Sequence, residues 1–242
     1  MRAPFGLSVL ASIACVSCTS AEGTPRGSRS ATEGPIVVEL FTSQGCSSCP
    51  PADRLLNKLA ASGLDGASLA PLAFHVDYWD DLGWADPYAA PAWTERQRQY
   101  ASALGDNRVY TPELVVAGRH GMVGSDLVAI TTAISRARRP ALLPASSSWG
   151  TGVLEVTATA PADADVLVAV WEDGTRTKVP RGENEGEMLP SDRVVRRLER
   201  VAAAGTRGTI KVKLDGGWKA GGAVAFAQRN DKTIVASALL PR

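Results

Sequence analysis

After Cys49 the chain of 242 residues has no further cysteine, and that absence excludes a scaffold held together by disulfides. Histidine is almost as scarce, with His75 and His120 on separate segments. Neither sign of charge is in excess: 26 Lys and Arg against 25 Asp and Glu leave a net charge of +1, without the basic surplus usual in nucleic-acid binding. No run approaches the ~18 uninterrupted apolar residues of a membrane-spanning helix. Neither an internal repeat nor a nucleotide loop is found. What is present is 45% hydrophobic and 21% charged residues, unlike a disordered polar tract. The length allows one large domain or two small ones, and a real core in either case.

The four cysteines fall in two close pairs. Cys15 and Cys18 belong to an N-terminal stretch in which Arg2 precedes Phe5, Leu7, Val9, Leu10, Ala11, Ile13 and Ala14. The stretch is too short to cross a bilayer but long enough for the core of an export signal, so residues 1–17 read as a signal peptide. Val16-Ser17-Cys18 resembles the end of a bacterial lipoprotein signal, with lipid carried on Cys18; ordinary cleavage near Ala21 is the alternative. Residues 18–34 have no apolar period and read as a flexible tether. Both readings put the protein outside the cytoplasm, where disulfides persist. It would be a periplasmic or outer-membrane-anchored lipoprotein, or a secreted protein.

The second pair, Cys46-Ser47-Ser48-Cys49, stands between a strand and a helix. Residues 35–41, PIVVELF, read as a buried strand. Residues 52–62 carry Leu55, Leu56 and Leu59 at helical spacing, with Gly63 as a stop. Pro50 and Pro51 suit a first helical turn, where a missing N–H costs little. A thiolate at a helix N-terminus is stabilised by the helix dipole and by free backbone N–H groups, and the two-residue spacing lets the sulfurs close a small reversible disulfide. Half of a zinc site and an inert structural disulfide are the rival readings. A structural zinc site wants four ligands, and only His75 and His120 could add to the pair. On the redox reading Cys46 attacks and is the more exposed thiol, with a pKa below the roughly 8.5 of a free thiol. Cys49, further in, is the more buried and resolves the mixed disulfide.

Residues 69–77 read as a second strand, 91–104 as a helix, 113–117 as a strand directly after Pro112, 122–124 as a short strand and 127–137 as a helix. This order, over about residues 35–140, resembles that of the thioredoxin fold. The resemblance implies a cis proline at Thr111-Pro112 that faces the disulfide and helps bind the substrate backbone. It also implies a buried, proton-handling acid near Glu39, for which a solvated strand end is the alternative. The segments GCSSCPPAD, HVDYWDDLGWADP, ERQRQYA and VYTPELVVAG are more closely similar to an exported bacterial family, domain of unknown function 1223, with a thioredoxin-like domain. The stretch from Gly182-Glu183-Asn184 through Val194-Val195-Arg196 shares that likeness. It spans nearly the whole mature chain and implies fold and export without supplying a substrate.

Residues 75–87, rich in Asp and Trp, have two readings. One is a packed connection in which Trp79 and Trp84 fill space while Asp80, Asp81 and Asp86 make turns and caps. The other is a substrate-facing lip, since aromatics anchor binding surfaces, with His75 or Asp77 tuning a thiol or donating a proton. A metal held by His75 with Cys46 and Cys49, as in copper-delivery relatives of the fold, is a further alternative.

The Pro140–Pro144 segment and Ser146–Ser148 mark a boundary. It divides a thioredoxin-like α/β domain, 35–144, from a small all-β, sandwich-like domain, 145–242. Beyond it, strands are expected at 153–158, 166–172, 175–179, 194–201, 209–214, 223–228 and 233–239. Asp173-Gly174 signals a hairpin, residues 181–192 a loop, and Arg193, Arg196, Arg197 and Arg200 a solvated basic face.

These features point to an extracytoplasmic thiol–disulfide oxidoreductase. Its catalytic residues would be Cys46, Cys49 and Pro112, with Glu39, Thr111, His75 and Asp77 as auxiliaries. It would need no cofactor or metal beyond the Cys46–Cys49 disulfide. Its partners would be protein thiols and disulfides and a redox partner, with no nucleic acid, and with membrane contact only through an N-terminal lipid. The competing class is a binding protein, either a non-catalytic thioredoxin-fold module or a copper or other metal carrier.

Overall fold

The computed structural model describes Met1 and residues 32–64, 68–219 and 221–242. The signal peptide, Cys18 and most of the tether lie outside the described residues. The tether's last residues are bonded into the body: Gly34 N donates to Pro140 O at 3.0 Å and Leu142 N to Thr32 O at 2.9 Å. Among the described residues no helix is long and apolar enough to cross a membrane.

The chain runs β1 (Ile36–Thr42), α1 (Pro50–Ser62), β2 (Leu69–His75), α2 (Pro91–Leu104), β3 (Glu113–Val116), β4 (His120–Val123) and α3 (Leu127–Arg136). Strands follow: β5 (Ala141–Leu142), β6 (Ala145–Gly150), β7 (Val153–Thr159), β8 (Asp165–Glu172), β9 (Thr175–Lys178), β10 (Met188–Ser191), β11 (Val194–Ala202), β12 (Arg207–Lys213), β13 (Gly221–Gln228) and β14 (Ile234–Leu240). Local chemistry sets the helix ends. Proline opens α1 and α2, Asp126 caps α3 by accepting from Ala129 N at 2.9 Å, and Gly105 closes α2 at φ 76°.

The architecture is mixed α/β, with three α-helices among the described residues and one large sheet of nine strands, ordered β4-β3-β1-β2-β11-β8-β13-β14-β5. That order corrects the division into separate domains at 144/145. β2 belongs to the first half and β11 to the second, yet Ala73 N donates to Arg193 O at 2.8 Å and Val194 pairs with Ala73. Every residue of β2 is buried. Its outer edge would otherwise present unpaired backbone groups, and β11 covers it.

The sandwich-like half is present, but its larger layer is this shared sheet. The three-stranded sheet β12-β7-β6 packs Leu154, Val156 and Val212 against Val166, Val168 and Ala225. Asp173-Gly174 does not turn β8 into a hairpin with β9. Instead β8 pairs with β11 and β13, and β9 pairs with β10. The basic residues along and just before β11 are engaged rather than bare. Arg193 lies over Trp171, Arg196 and Arg197 lie over Trp218, and Arg200 pairs with Asp165 at 3.4 Å.

Helix α2 lies across the seam between the halves. Its Trp93 and Tyr100 share one core with Phe41 and Phe74 from the first half and Trp171, Val195 and Phe226 from the second. A buried polar cluster runs through that core. Glu39 accepts from Arg96 Nε at 2.6 Å, from Arg96 Nη2 at 3.0 Å and from the Tyr100 hydroxyl at 2.5 Å. Gln228 Nε2 donates to the same hydroxyl at 2.8 Å. The opposite face of the sheet carries α1 and α3, through Val38, Leu40, Leu56 and Ile130.

Candidate functional site

Cys46 and Cys49 form a disulfide, with their Cα atoms 5.4 Å apart. Cys49 caps α1 and its carbonyl accepts from Ala52 N at 2.9 Å and Asp53 N at 3.1 Å. Cys46 lies in the preceding turn, its N–H bonded to Ser43 O at 3.2 Å. Both cysteines are 0% exposed, whereas Ser47 and Ser48 between them are exposed. The expectation of an exposed Cys46 is therefore corrected. Local sequence puts the pair at a helix start, but segments distant in the chain cover it.

Gln44 is the hub of that cover. Its backbone N donates to Asp86 Oδ2 at 2.8 Å, its Nε2 to Thr177 Oγ1 at 3.0 Å, and its Oε1 accepts from Trp84 Nε1 at 3.2 Å. Asn184 Nδ2 donates to the carbonyls of Gln44 at 2.8 Å and Cys46 at 3.0 Å. Glu183 Oε2 accepts from Ser47 N at 2.9 Å and Ser47 Oγ at 2.7 Å. Trp79 packs beside Gly45, where an added Cβ would meet its Cβ at 3.1 Å, and donates through Nε1 to Thr111 Oγ1 at 2.8 Å. The aromatic loop thus joins the residues before Cys46 to Thr111-Pro112. That peptide bond is cis. Pro112 and Ala52 of α1 converge on Gly124, where an added Cβ would meet theirs at 3.1 Å and 3.2 Å.

His75 is buried beside this loop, with Nδ1 2.6 Å from Asp86 Oδ2. Since that oxygen also accepts from Gln44 N, the imidazole is coupled to the backbone two residues before Cys46. Burial opposes the charged imidazole, but the Asp86 carboxylate outweighs it and holds the His75 pKa above its ordinary value. Burial likewise opposes the Asp86 carboxylate, and the imidazole outweighs it, holding that pKa below the usual range. His75 Nε2 is buried and makes no hydrogen bond. Asp53 lies one turn along α1 from Cys49, and burial pushes its carboxyl from 3.8 up to about 6, against the attraction of His75. Asp53 also lines a cleft of about 420 Å³ between the start of α1 and residues 183–190, with Ser47, Pro50, Glu183 and Met188.

Of the residues singled out in the sequence, Cys46, Cys49, Thr111, Pro112 and His75 come together here. Glu39 does not. It points to the α2 face and is held by Arg96, while α1 lies on the other face. The Asp77 carboxylate accepts from the Thr94 hydroxyl, and the Asp77 backbone N–H donates to the same hydroxyl oxygen at 3.1 Å, tying the loop to α2. Among the described residues no three His, Cys, Asp or Glu side chains converge as a metal site. Sequence reasoning missed Gln44, Asp53, Glu183 and Asn184. For the last two the signal was there, since Gly182-Glu183-Asn184 is one of the segments that carried the family likeness.

Among curated proteins, none matches this chain. An X-ray structure of a protein from Agrobacterium tumefaciens is similar at 33% identity with a TM-score of 0.67, covering 86% of this chain and 95% of that one. HBP35 of Porphyromonas gingivalis is similar in fold, with a TM-score of 0.59 at 17% identity, over 86% of this chain and 74% of that one. The family model described as Protein of unknown function (DUF1223) matches residues 37–228, and the chain belongs to that family.

Proposed function

We propose that the protein is an exported thiol–disulfide oxidoreductase of thioredoxin-like type. The observation that carries this reading is the Cys46–Cys49 disulfide at the β1–α1 junction. The run β1-α1-β2-α2-β3-β4-α3 supports the thioredoxin-like assignment, with β1 parallel to β2 and antiparallel to β3. So does the place of Thr111-Pro112 beside the first turn of α1.

In the reducing direction the Cys46 thiolate attacks a client disulfide and one client sulfur leaves as a thiolate. Cys49 then attacks the mixed disulfide, frees the second client sulfur and restores the Cys46–Cys49 bond. The client gains two electrons and two protons, and the pair loses them. The oxidising direction is the reverse. No cofactor beyond the disulfide enters. Asp53, with a carboxyl titrating near about 6, takes and returns the Cys49 proton, and His75 with Asp86 sets the field around it. Clients are protein thiols and disulfides, and a separate redox partner resets the pair. Export is followed by anchoring through lipid on Cys18, the membrane contact of this reading.

The test is trapping. The exported Cys49→Ser variant should accumulate mixed disulfides with client proteins on non-reducing electrophoresis, and Cys46→Ser few or none. Equal trapping by both variants removes the assigned roles. No trapping by either, with tight copper binding by the reduced protein, replaces this reading with the metal carrier.

A further inference from the structure

We infer that the hairpin Thr175–Ser191 is a strap that closes over the Cys46–Cys49 disulfide and swings away as a unit to admit a polypeptide client. The inference rests on the redox reading of that pair and specifies how its access is controlled.

The strap lies against the turn that carries Cys46 and contributes to its cover together with the aromatic loop. Glu183 and Asn184 at its tip occupy Ser47 N, Ser47 Oγ, Gln44 O and Cys46 O, and Thr177 on its first strand takes Gln44 Nε2. The contacts to Ser47 are exposed and polar, and water can replace such hydrogen bonds at small net cost. The Asn184 bonds are buried and the strap also buries Val179 and Leu189, which weights the equilibrium toward the closed state. The seat is closely fitted: an added Cβ at Gly182 would lie 3.3 Å from Trp84 Cβ, and one at Gly83 3.2 Å from Gly182 Cα.

The strap also carries its own internal structure. β9 pairs with β10 from Thr175↔Ser191 to Lys178↔Met188. Val179 N donates to Glu187 O at 3.0 Å, Gly186 N to Val179 O at 2.8 Å and Glu185 N to Gly182 O at 3.1 Å. It joins the body through a narrow neck, where β8 and β11 leave the large sheet together. There Gly174 N donates to Asp192 Oδ1 at 2.6 Å and Arg193 N to Asp173 Oδ1 at 2.8 Å. Gly174 has φ 71° and Arg193 φ 60°, so both strands bend sharply at one level. A self-bonded hairpin on a two-strand neck moves as one body about that neck.

Opening frees the Ser47 N–H and hydroxyl and the Cys46 carbonyl. A backbone donor, a hydroxyl and a carbonyl side by side in sequence are groups that a polypeptide backbone can bond and a small thiol cannot, and on that chemistry the client is a polypeptide.

The test reads access apart from turnover. The Cys46–Cys49 disulfide of the full mature chain is reduced with dithiothreitol without denaturant, in wild type and in Glu183→Ala/Asn184→Ala, with urea midpoints measured in parallel. Removing the hydrogen bonds to four partners should raise the reduction rate on the order of tenfold or more while the unfolding midpoint of the body is kept. Equal rates overturn the strap. Hydrogen exchange of the wild type needs no variant to fold: amides of residues 182–188 should exchange faster than those of β8 and β11, and exchange in step with the sheet overturns the hinge. A positive result here with no client trapping would leave the gate standing and sink the redox reading alone.

Discussion

Replacing Asp53 with Asn should stabilise the protein at neutral pH and have almost no effect in acid. The wild-type carboxyl rises from 3.8 to about 6 because it is largely withdrawn from water, so the fold prefers its protonated form. A raised acid pKa gives stability that is fully present below 3.8 and is lost as pH climbs through about 6. At about 1.4 kcal/mol per pH unit, ionising Asp53 costs the fold up to about 3 kcal/mol above neutrality. The side chain keeps an exposed edge in the cleft, which brings the expected gain to about 1–3 kcal/mol. Asn has nearly the same shape and no charge to desolvate. The assay is urea unfolding of both proteins at about pH 4 and about pH 8. The variant should gain at the higher pH only, and the same difference at both would refute the burial argument. The same substitution should slow thiol exchange and remove an inflection near pH 6 from its rate profile, since the variant has no carboxyl to move the proton.

Arg96→Ala leaves the Glu39 carboxylate buried without its guanidinium and should cost about 3–5 kcal/mol; a loss under about 1 kcal/mol by urea unfolding would remove the seam cluster as a staple. A fragment ending at residue 144 should not fold, because it exposes the β2 edge and half of the core under α2. Cooperative unfolding of that fragment by circular dichroism would restore the two-domain reading.

The local elements were legible because each carries its own signal. The helix expected at 91–104 matches α2, which Pro91 and Gly105 bracket. Period two marks β7, which alternates half-buried and buried residues. The sheet order was not legible, because strand pairing depends on partners far along the chain. β2 and β11 both look like buried strands, and nothing in either names the other. β6 contains Ser146–Ser148, which in sequence mark only a boundary: its alternate residues face solvent at a sheet edge, and three serines in a row hide a period that only burial reveals. Asp173-Gly174 has hairpin chemistry, but its Asp carboxylate bonds to Arg193 N, twenty residues on, and makes a neck rather than a turn. The placing of Cys46 and Cys49 at a strand-to-helix junction was legible, while their burial was not. Asn184, the group that reaches over Cys46, lies 138 positions away.

The continuous sheet bears directly on how the strap could work. Were the halves joined only by a linker, the position of Glu183 over Ser47 would depend on the angle between two bodies, and closure would have to fix that angle each time. Here the strap rises from β8 and β11, and β11 is bonded at Val194 to Ala73 of β2. β2 runs in register beside β1, whose end leads into the Cys46 turn. Strap and disulfide are therefore referenced to the same three adjacent strands, and α2 clamps them from one face through Arg96 and Glu39. Closure has only the neck angle to set, so little conformational freedom is lost when the strap seats. That small entropic cost lets a seat of a few hydrogen bonds keep the disulfide shut. It also leaves the closed state weak enough for a client that supplies equivalent bonds to displace it.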